Sequence, residues 1–192
     1  DYDNDSDLDI LLSGLDASSV EITTIYRNDG NNSFINMTEI SLNQLSHSSS
    51  AWGDYDNDGD LDFAMFGMRD DRITELYRNE ALQLNWDSTQ NFIAVAGNKS
   101  EGSIVWVDYD NDGDKDAFIG EDDGAISYYL NTGTNTAPNF GARSLDASNP
   151  FNGVDAGTNS RPVLVDIDND GDFDLIEANL AHPRFYQFSD KT

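Results

Sequence analysis

Apolar residues along this chain fall in short runs, each cut off by a stretch rich in aspartate, asparagine and glycine. Ala51-Trp52-Gly53, Ile104-Val105-Trp106-Val107 and Val163-Leu164-Val165 each run into such a stretch. Leu8-Asp9-Ile10-Leu11-Leu12, Leu61-Asp62-Phe63-Ala64-Met65-Phe66, Ala117-Phe118-Ile119-Gly120 and Phe173-Asp174-Leu175-Ile176 each emerge from one. Branched and aromatic residues bounded by turn formers predict strands on both sides of every polar stretch. Further on, Tyr26-Arg27-Asn28, Tyr77-Arg78-Asn79 and Tyr129-Leu130-Asn131 repeat a Tyr-x-Asn signature, followed by Phe34, Trp86 or Phe140. Asn28-Asp29-Gly30 supplies the positive-φ residues of a tight hairpin turn. From Glu39 to Ser46, Ile40, Leu42 and Leu45 could form a short apolar helical face. The stretch covers barely two turns before the serines of Ser46 to Ser50, so it reads as a surface connection.

The polar stretches are themselves a repeat. D-x-D-x-D-(G/S)-D-x-D starts at Asp1, Asp54, Asp108 and Asp166, at intervals of 53, 54 and 58 residues. A unit of that size holds about four strands of ~5–6 residues with their turns. All-β units of this length predict β-propeller blades of about four antiparallel strands, stacked radially with each face buried on its neighbour. The repeats run over approximately 1–53, 54–107, 108–165 and, in part, 166–192. These make a single propeller segment of roughly three and a half repeats, part of a larger, seven-bladed propeller. An open arc leaves blade faces and strand edges in water, so the remaining blades are expected from the same longer chain or from a second copy.

Carboxylates at every second position make no sense as a buried strand but suit a loop wrapped around a hard cation. Calcium takes 6–8 oxygen ligands in a flexible shell, and a sharp turn at the sixth position lets alternate residues converge. In the second loop Asp54, Asp56, Asp58 and Asp62 offer carboxylates and Asp60 its backbone carbonyl, with Gly59 at the turn. The same reading assigns Asp108, Asp110, Asp112, Asp114 and Asp116 around Gly113, and Asp166, Asp168, Asp170, Asp172 and Asp174 around Gly171. Three calcium sites are expected there. A fourth, from Asp1, Asp3, Asp5, Asp7 and Asp9, is handicapped because Ser6 replaces the glycine, at a cost of ~1 kcal/mol for a left-handed backbone. Glu177 completes an EF-hand pattern with the fourth loop, but Leu12, Met65 and Ile119 hold that place elsewhere, so Glu177 reads as a strand residue.

Charge sharpens this picture. Twenty of the 37 acidic residues lie in the four loops of a chain with formal charge −27, and four divalent ions would bring that to −19. Ten scattered Lys and Arg form no basic stripe, which excludes nucleic acid as a partner. There is no cysteine for disulfides or thiol chemistry, and no apolar run approaches the ~20 residues of a membrane span. The chain starts inside a loop motif, without an initiator Met or signal peptide, and reads as part of a longer exported polypeptide.

Trp52 and Trp106 share a repeat position with Leu164, which marks it as a packing position. Trp86 lies outside that register and is the best candidate for an exposed stacking surface, although core packing is the expectation for it too. His47 and His182 have no companion nucleophile or carboxylate at a catalytic spacing, and the carboxylates outside the loops form no glycosidase pattern. Asn31, Asn36 and Asn98 sit in glycosylation sequons, which matter only in a eukaryotic secretory protein.

DYDNDGDLD and DYDNDGDKD, each after an aromatic-containing strand and followed by Tyr-x-Asn, resemble the FG-GAP/VCBS repeat family. That family includes the calcium-binding blades of integrin α-subunits and many exported bacterial surface proteins. The likeness covers essentially the whole chain. Phe-Gly and Gly-Ala-Pro elements are not evident here, so the bacterial-type variant fits better and integrin ligand recognition is not carried over. The resemblance implies a propeller with calcium loops joining two strands of a blade. The expected function is a non-enzymatic adhesion, interaction or display scaffold, extracellular or at the cell surface, with a protein or glycan partner. The alternatives are a lectin-like propeller or an accessory domain of a secreted polysaccharide-active enzyme.

Overall fold

In the computed structural model, which describes residues 1–31, 33–69, 72–88, 102–134, 136–142, 144, 146–155, 157–178 and 184–186, every strand pairs antiparallel with its chain neighbour. The first sheet contains β1 (Ile10–Leu15), β2 (Glu21–Asn28) and β3 (Phe34–Asn36). The second is a four-stranded meander of β4 (Ser46–Gly53), β5 (Asp62–Met68), β6 (Arg72–Glu80) and β7 (Gln83–Trp86). The third has β8 (Ile104–Val107), β9 (Asp116–Gly120) and β10 (Ile126–Tyr129), extended outward by bridges from Asn131 to Phe140 and from Tyr128 to Ser144. The fourth has β11 (Arg161–Val165), β12 (Asp174–Ala178) and β13 (Arg184–Tyr186). No helix occurs among the described residues. The acidic loops join β4 to β5, β8 to β9 and β11 to β12, inside a sheet. Repeats counted from the aspartates are therefore out of phase with the sheets by one strand.

The sheets stack because central strands such as β5 and β9 have two apolar faces. In β5, Phe63 and Met65 point to the first sheet, into a cluster with Tyr2, Ile25, Leu42 and Leu45. Ala64 and Phe66 point the other way, to Ile104, Ala117 and Ile119 of the third sheet. Phe118, between Ala117 and Ile119 in β9, turns to the fourth sheet and packs in a cluster with Leu175. Three interfaces thus make the core, and β4, β8 and β11 lie side by side along one edge of the stack. This is the packing of propeller blades. Gly53 is required where β4 meets β8, since a Cβ there would come within 2.6 Å of the Trp106 ring, whose Nε1 donates to the Ala51 carbonyl. At Gly120 a Cβ would come within 2.2 Å of the Ser160 carbonyl oxygen.

Trp52 and Trp106 are packing residues, as their shared register with Leu164 suggests. Each stacks on the tyrosine at the second position of the preceding acidic loop, Tyr2 with Trp52 at 6.2 Å and Tyr55 with Trp106 at 6.0 Å. Tyr109 and Leu164 share the corresponding cluster. In backbone register Tyr186 is paired with Leu175 as Tyr77 is with Phe63, so the tyrosine position recurs in the fourth sheet.

Two expectations are corrected. Glu39 to Leu45 does connect β3 to β4 without a helix, but not on the surface, because Leu42 and Leu45 are buried, and Ser46 to Ser50 already belong to β4. Serines fit a strand here because the neighbouring blades cover them and a bulge between Ser46 and Ser49, where His47 takes φ 46°, offsets the register. Trp86 is 60% exposed on β7, the outermost strand of its sheet among the described residues.

Apolar positions that are sealed inside the stack lie open at its two ends. Ile10 and Leu12 stand where Phe63 and Met65 stand one repeat later, yet are 45% and 41% exposed against 0% for both of the latter. Val163 and Ile167 repeat the positions of Val105 and Tyr109 but are 51% and 52% exposed.

Candidate metal centres

Each acidic loop is a tight reversal with two left-handed residues. Asn4, Asn57, Asn111 and Asn169 hold the fourth position at φ 53–62°, and Gly59, Gly113 and Gly171 hold the sixth at φ 95–96°. Ser6 takes the same left-handed region at φ 78°, so serine does not prevent the turn. Asparagine tolerates this conformation better than other residues with a Cβ. Its presence at the fourth position of all four motifs is the sequence signal for this turn. Asn4 also donates to Asp60 Oδ1 at 2.8 Å, and Asn57 to the Gly113 carbonyl at 3.2 Å, tying successive loops together.

The turn gathers the first, third and fifth aspartates. Asp1, Asp3 and Asp5, then Asp54, Asp56 and Asp58, then Asp108, Asp110 and Asp112 each bring one carboxylate oxygen per residue within 4.8 Å of the others. In the fourth loop the gathered residues are Asp166, Asp168 and Asp174. The first aspartate also caps the turn, as Asp54 accepts from the amides of Asp58 and Gly59, both at 3.1 Å, and Asp166 from those of Asp170 and Gly171.

The seventh and ninth positions behave differently. Asp7, Asp60, Asp114 and Asp172 fall outside these clusters, and Asp60 spends its carboxylate on Asn4 and the Ala81 amide. The ninth aspartate staples the loop to the blade. Asp62 accepts from the Tyr55 amide at 3.1 Å and the Asn79 amide at 2.8 Å. Asp9 does the same for Tyr2 and Asn28, and Asp116 for Tyr109 and Asn131. Asp174 accepts from Ile167. The asparagine of Tyr-x-Asn is therefore the loop's anchor, in or just after the strand that pairs with the one the loop enters, a role that its recurrence signalled without revealing. Glu177 lies in β12, fully buried on the face toward the third sheet, where its Oε1 accepts the Arg161 amide at 2.8 Å.

Several of the gathered carboxylate oxygens are buried and have no hydrogen-bond donor, among them Oδ1 of Asp1, Asp3, Asp56 and Asp108, as does Oδ1 of Asp114 beside the third cluster. Asp56 is fully buried. Burial pushes the carboxyls of Asp3, Asp56, Asp110 and Asp114 above the ordinary range, and nearby aspartates add to the effect. Burial likewise raises Asp62 to about 7 and Asp116 to about 6, against the pull of the amides that each accepts. Buried anionic oxygens without donors require a cation or a proton. Multiple hard oxygen donors on a flexible loop fit a divalent cation of calcium's class.

His47 is exposed on β4, while His182 and Asn98 lie outside the described residues. Trp86 lines an open cleft of about 460 Å³ with Arg78, Glu80, Asn85 and Asp87 on one side and Thr136, Ala137 and Pro138 on the other. No helix among the described residues is long and apolar enough to cross a membrane.

Stacked antiparallel blades with an acidic reversal between two strands of a blade define a β-propeller-like repeat protein. A family model of the FG-GAP-like repeat matches residues 1–65 and 108–176, and the chain belongs to that family. Curated proteins yield no match.

Proposed function

We propose that this chain is a calcium-stabilised segment of an extracellular propeller, acting as an adhesion, interaction or display scaffold without catalysis of its own. The repeat family supports the coarser reading, a propeller-like interaction module. Calcium rests on one observation, the gathered aspartates whose buried oxygens have no donor. Asp54, Asp56 and Asp58, their counterparts in the first and third loops, and Asp166, Asp168 and Asp174 would hold the ions. Bound calcium would supply charge neutralisation and pin each reversal. Native mass spectrometry and calorimetry with calcium alone should count at least three ions per chain. Asp108→Ala together with Asp112→Ala should remove one, whereas Glu177→Ala should remove none and only destabilise, since it empties a buried position. Loss of an ion on changing Glu177 would mean that the fourth loop uses it as a ligand.

The open end faces support further blades beside Ile10 and Leu12 and beside Val163 and Ile167, supplied by more of the same chain or by a second copy. Residues 1–192 expressed alone with calcium should self-associate in light scattering. A monodisperse monomer that binds no apolar dye would show that these faces need no cover.

One observation favours a second reading, a lectin-like module. The exposed Trp86 ring above a polar cleft has the make-up of a sugar-stacking site. A glycan array should then give hits that Trp86→Ala abolishes. An empty array would leave the scaffold reading alone.

A further inference from the structure

Arg27 and Arg78 occupy the same place in successive repeats, one residue after the signature tyrosine, and both turn toward the third aspartate of their own loop. Arg78 ion-pairs with the fully buried Asp56, and its Nε lies 2.9 Å from Glu80. Arg27 Nε lies 2.7 Å from Asp29 and 3.9 Å from Asp3. In both repeats an acid two residues along the chain, at the period of one strand face, holds the guanidinium near the cluster. The third repeat replaces the whole device, with Leu130 and Thr132 in the places of the arginine and the acid. Among the described residues no basic side chain ion-pairs with Asp110, the counterpart of Asp3 and Asp56.

We propose that this arginine is a built-in counter-cation that sets the calcium affinity of the first and second loops below that of the third. The proposal rests on the reading that the loops bind calcium. Arg78 pairs with Asp56 through Oδ2 alone, so Oδ1 remains for a cation, which would share this carboxylate with the guanidinium. The guanidinium already neutralises part of the carboxylate's charge and leaves a positive charge beside the new one, so both effects weaken binding. Arg78 is about one-third exposed, which screens but does not remove the repulsion. Without metal the same guanidinium spares Asp56 from being an uncompensated buried charge, so the second loop keeps its shape at low calcium. Near-identical aspartate loops would then fill in sequence as calcium rises, the third before the second.

Calcium titrations of the full chain by calorimetry, with native mass spectrometry for the count, test this. Arg78→Gln should tighten one of the weaker sites by about tenfold, and the shift should persist when Asp108→Ala and Asp112→Ala remove the third loop. Arg78→Lys, which keeps the charge, should stay close to the unsubstituted chain. In chelator, Arg78→Gln should melt at a lower temperature. If that variant folds poorly, Arg27→Gln provides the same readout in the first loop, where the longer pairing distance predicts a smaller tightening. Unchanged or weaker calcium binding in the glutamine variants, or a lysine variant that behaves like them, overturns the proposal. A chain that binds no calcium at all overturns the calcium reading itself.

Discussion

Excess chelator should lower the thermal midpoint by about 15–30 °C relative to calcium at a hundredfold excess over its dissociation constant. Each filled site contributes roughly 2.7 kcal/mol at that excess, and a chain of this size shifts by about 2–4 °C per kcal/mol. Extracellular modules commonly bind at about 10⁻⁴ M or weaker, so about 10 mM calcium is the appropriate concentration. The two curves should also differ in their pH dependence. Asp62 and Asp116 have folded-state pKa values raised to about 7 and about 6. A raised carboxyl contributes stability that is complete below its unfolded value, ~3.9, and is lost as pH climbs through the folded value. In chelator the midpoint should therefore fall between about pH 4 and about pH 7 and level off once both groups have ionised in the folded chain. Calcium favours the ionised loops and releases their protons, so in calcium the slope should flatten or reverse over the same interval. A midpoint indifferent to chelator at every pH would remove calcium from the account of stability.

The repeat, the strands beside each loop and the acidic clusters were all legible because they depend on local chemistry. A nine-residue reversal with carboxylates at alternate positions carries its own signal, and the Trp52, Trp106 and Leu164 register disclosed a packing position by substitution alone. The missing information was long-range. Nothing within the motif distinguishes Asp62 from Asp58, yet one is buried under two amides and the other is exposed in the cluster. The difference arises because the ninth position is already the first residue of β5, where the chain has entered the sheet and Asn79 of β6 lies opposite. Leu45 looked like half of a weak helical face, and its burial depends on a neighbouring blade rather than on its own segment. Core packing is the expectation for Trp86, which is exposed because β7 is the last strand of its sheet among the described residues. Arg78 escaped notice for the same reason, since its partner Asp56 lies 22 residues earlier in the sequence.

Asp62→Ala should destabilise the chain by about 2–6 kcal/mol whether or not calcium is present, because it leaves the buried amides of Tyr55 and Asn79 without an acceptor, at ~1–3 kcal/mol each. Asp58→Ala offers the contrast. Asp58 is an exposed member of the gathered cluster, so its loss should cost little in chelator and much of one site's contribution in calcium. Thermal melts of both variants under both conditions separate the two roles. The distinction decides how the loop works. A staple at the ninth position fixes the reversal to the strand that pairs with the one the loop enters, or to the residues just after it, before any ion arrives, so that the first, third and fifth aspartates are already gathered and the ion need not organise them. That preorganisation accounts for the same pair of amide bonds recurring at Asp9, Asp62 and Asp116 while the residues around them vary. If Asp62→Ala melts like the unsubstituted chain in chelator and loses stability only in calcium, the ninth aspartate acts as a ligand alone, and the loop takes its shape from the ion.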